Sequence, residues 1–175
     1  MTFWDHLEDL RKSIFRMMGV LASVAVILFF LKNFLFDDVV LAPAGSDFLL
    51  YRLVGIDFSL SLVNLEVAAQ FMIHMKVTFI CALILTFPYL IYEIWKFIAP
   101  ALYENEKKAV RGAFTFASVL FYVGIAVGYF IILPLMLNFF ADYQVSASVP
   151  NTFSLSSYIS MFTSIVLVFG IVFEF

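Results

Sequence analysis

Five carboxylates lie in two short polar stretches of an otherwise apolar chain: Asp5, Glu8 and Asp9 near the N-terminus, and Glu104 and Glu106 in "FIAPALYENEKKAVRG", residues 97–112. Arg11, Lys12, Lys107, Lys108 and Arg111 surround them. Basic side chains beside a membrane gain from its anionic lipids, whereas acidic ones do not, so the acids need another reason to be there. One reason is local. Thr2 stands three residues before Asp5 in a variant of the capping box, and Glu8 with Lys12 and Glu104 with Lys108 are spaced for i,i+4 pairing on a helix. The other is a ligand: two carboxylates brought to one place hold the planar fork of a guanidinium bidentately, as they cannot hold an ammonium. For Asp5, Glu8 and Glu104 both readings stand.

Few other residues offer chemistry. Glu174 lies deep in the last apolar run, where an ionisable group is costly and marks either a polar groove, a helix-pairing contact or a residue near the interface. Glu93 is near the end of an apolar run and is expected to extend its carboxylate towards water. His6 and His74 are isolated and read as surface residues, so no metal site is expected. The single cysteine, Cys81, has no disulfide partner within the chain. Neither a phosphate-binding GxxxxGK[ST] loop, a nucleophile elbow nor an H-E-x-x-H pair occurs, so an enzyme and a cofactor are not expected. The net charge of -3 argues against nucleic acid as a partner.

The elements that position these groups are membrane helices. In 175 residues, 64% are hydrophobic, 13% are charged and 23 are phenylalanine, with a mean hydropathy of +1.04. A water-soluble domain of this length cannot hide so much apolar surface. The expected fold is all-α, a polytopic bundle forming a single membrane domain over residues 1–175. Its spans fall near 14–36, 77–95, 113–133 and 158–175, each long enough to cross about 30 Å of hydrocarbon. Lys32 reaches the interface at the end of the first, Pro88 kinks the second and Pro134 closes the third. "GIAVG", Gly124 to Gly128, permits close helix approach inside the bundle. No cleavable signal pattern precedes the first run, and because the fourth shows no polar exit the chain is expected to be a fragment lacking its C-terminal spans.

Seven of the ten basic residues precede the first span or lie between the second and third, which places the N-terminus and residues 97–112 in the cytoplasm. The opposite connection, residues 37–76, is expected to form a cap, with "LVNLEVAAQFMIHMK" as a short surface helix before the second span. Near the N-terminus, Phe3, Leu7, Leu10 and Ile14 form one stripe, and a helix lying there would bring its acids towards Glu106.

"FWDHLEDLRK" resembles the N-terminal H-L-x-E-L-R motif of the TatC family, the multispanning subunit of the twin-arginine protein translocase. "FPYLIYEIWKFIAPALYENEKK" is similar to that family's second span and first cytosolic loop, and "VGYFIILPLMLNFF" and "SLSSYISM" with "FGIVFEF" resemble its third and fourth spans in order and spacing. The resemblance covers essentially the whole chain and implies four of the family's six spans. It implies a receptor in the cell inner membrane for signal peptides that carry paired arginines on folded cargo. Energy would come from the proton gradient, and the partners would be TatA- and TatB-like single-span subunits, with self-association as a further expectation. By position, the arginine-binding acids fall on Glu106 and on Asp9, where the family has glutamate, with the adjacent Glu8 as the alternative. Phe97, Pro100, Leu102, Tyr103 and Arg11 match the supporting positions, and Glu174 matches a glutamate of the intramembrane groove. For Phe97 and Leu102, anchoring at the interface is an equal reading.

The competing function is a proton-coupled secondary transporter of a small solute. Such a protein places ionisable groups near the midplane in internally repeated, broken helices. Here the acids gather at one surface, Glu174 alone is deep, and no repeat is visible.

Overall fold

The structure, a computed structural model, describes residues 3–175 apart from the side chain of Phe3. The Thr2 cap expected at the N-terminus lies outside the described residues. Helix dominates because a bilayer leaves no water for backbone amides, and a helix satisfies them within one segment. Among the described residues four stretches are long and apolar enough to cross a membrane: Trp4–Phe30, Ala69–Ala101, Glu104–Asp142 and Leu155–Val172.

Helix α1 spans Phe3–Phe30. The chain then passes through Leu31 into a wider π-wound stretch, Phe34–Val40, a single 3-10 turn at Ala42–Ala44, and a short α2, Leu49–Val54. Gly55 ends α2 in the left-handed conformation, φ 73°, with its N–H on the carbonyl of Tyr51, a backbone geometry that residues with a Cβ rarely adopt. A two-residue strand β1, Leu62–Val63, pairs in parallel with β2, Phe153–Ser154. Helix α3 runs over Ala69–Ile98, α4 over Glu104–Val127, α5 over Leu133–Asp142 and α6 over Leu155–Val172.

Three expectations are corrected. The stretch read as a short surface helix is a strand followed by the first turns of α3. From Ala69 onward no breaker occurs before Pro88, so the helix starts early and continues unbroken through that proline into the membrane-spanning part. Pro134 does not close a helix. It sits in the first turn of α5, directly after the π-wound Gly128–Ile132, whose looser winding accommodates a residue without an amide hydrogen, and the chain stays helical to Asp142. The N-terminal helix expected to lie at the surface is the first turns of α1, which runs unbroken over Phe3–Phe30, with Leu7 and Ile14 facing outward and Ser13 buried on the inward face. A helix surrounded by lipid turns its apolar side out, the reverse of a water-soluble helix.

The core lies at one end of the bundle. Val40, Ala44, Phe48, Tyr51 and Phe58 of the segment between α1 and α3 are buried together with Leu133 and Leu137 of α5 and Tyr158, Ile159 and Phe162 of α6. Gly124 and Gly128 let α4 touch α6. A Cβ on Gly124 would stand 2.3 Å from the Phe169 carbonyl oxygen, and one on Gly128 would meet the Phe169 side chain at 3.1 Å. The reading of these glycines as internal packing therefore holds.

Candidate functional site

The candidate site is built where α1 begins and α3 passes into α4. Two helical segments meet there through rings: His6 of α1 stacks on Phe97 of α3, centroids 4.3 Å apart and planes 21° from parallel. This contact joins the N-terminal helix to the turn that carries Pro100, Leu102 and Tyr103. His6 is thus not isolated. Nor is His74 at the other end of the bundle, which stacks on Phe29 at 4.3 Å. Between α3 and α4 the chain makes a 3-10 turn at Ala99–Ala101, and Tyr103 adopts the extended conformation of an N-cap.

Glu106 is the third residue of α4, and its Oε2 accepts the backbone N–H of Tyr103 at 3.2 Å. That bond returns the side chain onto the helix start, half of a capping box. It occupies one lone pair and leaves acceptor capacity on both oxygens of an exposed carboxylate. Tyr103 is exposed, Phe97 and Leu102 are half-buried and Pro100 is exposed.

The other acids divide sharply. Glu8 pairs with Lys12 at 2.8 Å, as the spacing suggests. Glu104 pairs with Lys107 at 2.7 Å rather than with Lys108, because i,i+3 is an equally near neighbour in the first turn. Asp9 is exposed and makes no hydrogen bond or ion pair among the described residues. Arg11 places its guanidinium over the ring of Phe15, 5.7 Å from the centroid, and makes no ion pair among the described residues. No hydrogen bond or ion pair among the described residues joins Asp9 or Glu8 to Glu106, so the three acids share one end of the molecule without being in contact.

Glu93 departs from expectation. It does not extend to water: its side chain is 4% exposed, and Arg16 of α1 grips it. The Arg16 Nε–H donates to Oε1 at 3.3 Å and Oε2 at 3.2 Å, and Nη2 donates to Oε2 at 2.8 Å. Tyr89 donates its hydroxyl to Oε1 at 3.1 Å, and Arg16 Nη2 also donates to Ser13 Oγ at 3.0 Å. The carboxylate is held because a charge taken from water is tolerated only with a partner and filled hydrogen-bond positions. A signal was present in the sequence. Ser13 and Arg16 lie i,i+3 on one helix and Tyr89 and Glu93 i,i+4 on another, and an acid inside an apolar run calls for a cation nearby.

Glu174 is separate from all of these. It follows α6, its Oε1 is buried, and that atom has no hydrogen-bond partner among the described residues. Gly124 stands against Phe169 and Phe173, so this end of α6 lies beside the last turns of α4. From Glu106 to Gly124 is on the order of 27 Å along the helix at 1.5 Å per residue. Glu174 is therefore a deep site and not part of the Glu106 end.

Comparison with known proteins agrees with the architecture. The family model described as TatC, Sec-independent protein translocase protein, matches residues 5–175. The Sec-independent protein translocase protein TatC of Blattabacterium sp. subsp. Periplaneta americana (strain BPLAN) is 37% identical over 190 residues, covering 100% of this chain and 71% of that protein. The TatC protein of Escherichia coli (strain K12) is 33% identical over 169 residues, covering 97% of this chain and 62% of that one. A crystal structure of the twin-arginine translocase receptor TatC in DDM superposes with a TM-score of 0.75 at 27% identity, over 97% of this chain and 71% of that chain. The chain thus spans roughly two thirds of the length of such relatives.

Proposed function

Because the chain belongs to the TatC family, we propose that it is the part of a twin-arginine translocase receptor that binds the paired arginines of signal peptides through Asp9 and Glu106. One observation carries the assignment. Glu8, Glu104 and Glu93 are each taken by a lysine or arginine, whereas Asp9 and Glu106 make no ion pair or hydrogen bond with a basic side chain among the described residues. An exposed carboxylate without a cation is the one that gains most from an arriving guanidinium. On this ground Asp9, rather than its neighbour Glu8, is the N-terminal ligand, with its shorter reach matched by the arginine's length. The His6–Phe97 stack holds the two helical segments within range of one peptide. Pro100, Leu102 and Tyr103 form the turn that presents Glu106, and Arg11, resting on Phe15, stays clear of both acids.

The rest of the reading follows from the family and from charge. The N-terminus and residues 97–112 face the cytoplasm, where most basic residues lie, and the membrane is the cell inner membrane. The protein binds and conveys folded cargo, without an enzymatic step, together with TatA- and TatB-like single-span subunits. Glu174, with its unsatisfied buried oxygen, serves the intramembrane groove that receives a peptide or a partner helix. The solute-transporter alternative is the weaker reading, since Asp9 and Glu106 are at a surface, the buried Glu93 is already neutralised, and Glu174 is the one unpaired acid among the described residues that lies deep.

Site-specific photocrosslinking from positions 9 and 106 to a signal peptide bearing two arginines or two lysines tests the site. Crosslinks from both positions are expected, strong with the arginine peptide and absent with the lysine one. Glu106→Gln and Asp9→Asn should each weaken arginine-peptide binding by about tenfold or more, the weight of one charge-assisted pair, while Glu8→Gln leaves it unchanged. Equal loss in Glu8→Gln and Asp9→Asn would sink the choice of Asp9, and equal crosslinking of the lysine peptide would sink the receptor reading.

A further inference from the structure

At the opposite end of α1 and α3 lies a cavity of about 430 Å³ that the signal-peptide reading does not use. Its wall carries Lys32 and Asp37 from the chain after α1, and Gln70 and His74 from the first turns of α3. Three features make it a built site. Lys32 and Asp37 line one cavity with opposite charges, and among the described residues neither makes an ion pair or a hydrogen bond. His74 is immobilised between rings, stacked on Phe29 at 4.3 Å and edge-on to Phe36 at 5.6 Å, yet its Nε2 is buried with no hydrogen-bond partner. A buried polar atom left unsatisfied is costly and is normally met by a ligand or water. Gln70 lies in the first turn of the 30-residue α3, whose N-terminal dipole end favours an anion.

We propose that this cavity binds the headgroup of an amine-bearing zwitterionic phospholipid. The phosphodiester receives the Lys32 ammonium and the Gln70 amide, and the headgroup ammonium donates to Asp37. The cavity stands at the depth where headgroups lie, because α1 ends at Phe30 and α3 begins at Ala69. Phe34 and Phe71, both exposed at this level, offer apolar surface for the acyl chains. A purely anionic headgroup would meet Asp37 with like charge, and a quaternary ammonium has no hydrogen to donate to it. The charge pattern therefore selects a primary amine.

The test uses the whole chain purified in detergent and offered equal amounts of phosphatidylethanolamine, phosphatidylcholine and phosphatidylglycerol, with bound lipid counted by native mass spectrometry. Phosphatidylethanolamine should be retained about tenfold over the other two, the ratio expected from one charge-assisted hydrogen bond. Asp37→Asn should remove that preference, and Lys32→Gln, which loses the contact to the phosphodiester common to all three, should lower the retention of each. Both residues are exposed, so folding does not depend on them, and unchanged far-ultraviolet circular dichroism verifies it. Equal retention of the three lipids, or an unaltered preference in Asp37→Asn, overturns the proposal. Soluble phosphoethanolamine separates the headgroup from its chains. Displacement of the lipid by phosphoethanolamine and not by inorganic phosphate supports amine recognition, whereas equal displacement by both reduces the cavity to an anion site and overturns it. Binding of the arginine peptide, read on the same variants, should not change, so this result is independent of the Asp9 and Glu106 assignment.

Discussion

Where α5 and α6 meet the segment between α1 and α3, tyrosine hydroxyls cross the bundle to backbone carbonyls. Tyr51 donates to Pro43 at 3.0 Å and Pro134 at 3.4 Å, Tyr129 donates to Val39 at 2.6 Å, and Tyr158 donates to Val40. Where α4 begins, most polar contacts stay within one helix: Glu8 with Lys12, Glu104 with Lys107, and Glu106 with the Tyr103 amide. The Arg16–Glu93 pair, the His6–Phe97 stack and the Trp95–Phe114 ring contact cross between elements there. The difference is one of what each contact constrains. A buried bond between residues far apart in sequence fixes where helices stand relative to one another, whereas an exposed pair one turn apart stiffens a helix and leaves its position open. The first end is scaffold. The second keeps Asp9, Glu104 and Glu106 in water, which is what a surface that accepts a basic peptide requires.

The largest effect should come from breaking the scaffold. Gly124→Val places a branched side chain where a single Cβ already lies 2.3 Å from a backbone oxygen of α6. Backbone must move, at a cost of about 3 kcal/mol, the upper part of the usual range for overpacking. Thermal unfolding in detergent should show a lower midpoint, and because Glu174 directly follows α6 its surroundings should change with it. An unaltered midpoint would mean that α4 and α6 are not rigidly joined.

A smaller effect follows from removing one crossing hydroxyl. Tyr51 is 1% exposed, and burial pushes its hydroxyl up to about 12. It therefore remains a donor to Pro43 and Pro134 at any ordinary pH. Tyr51→Phe leaves those acceptors without it and should cost about 1–2 kcal/mol. The sign of the pH dependence follows from the direction of the shift. The unfolded phenol ionises near its ordinary value of about 10, so the stabilisation is complete below that pH and is lost as pH rises to about 12. Alkaline unfolding curves should be less steep in this window for Tyr51→Phe than for the parent, and arginine-peptide binding at neutral pH should be the same. Identical curves would remove Tyr51 from the scaffold.

Much of this division is legible in the residues. Apolar runs long enough to span a bilayer specify the four helices, and Asp9 and Glu106 stand out because acids beside a membrane need a reason. What the chain order hides is pairing across elements. The Arg16–Glu93 bond joins residues whose nearness depends on how α1 crosses α3, and each alone resembles an interfacial charge. The histidine stacks are hidden for the same reason. Pro134 misleads because proline in an ordinary helix removes a ladder bond, and only the π-wound turn before it changes that. The β1–β2 pair is too short to carry a period, and its register depends on a partner about ninety residues away.

The smallest effect gives the finest test of what the open end recognises. Glu104 lies two positions before Glu106 and is fully exposed, bonded to Lys107 at 2.7 Å. An exposed i,i+3 pair adds little to stability, since solvent and salt screen both charges. Glu104→Gln should thus leave the unfolding midpoint within error. Its use lies in binding. If the arginine pair were drawn only by the negative field of "YENE", removing either glutamate would weaken the peptide equally, and added salt would abolish the difference between variants. If Glu106 grips a guanidinium directly, Glu106→Gln loses affinity while Glu104→Gln does not, and the contrast persists as salt is raised. Matched losses in the two variants would turn the open end from a site into a charged surface, and the contrast with the scaffold would then be one of packing alone.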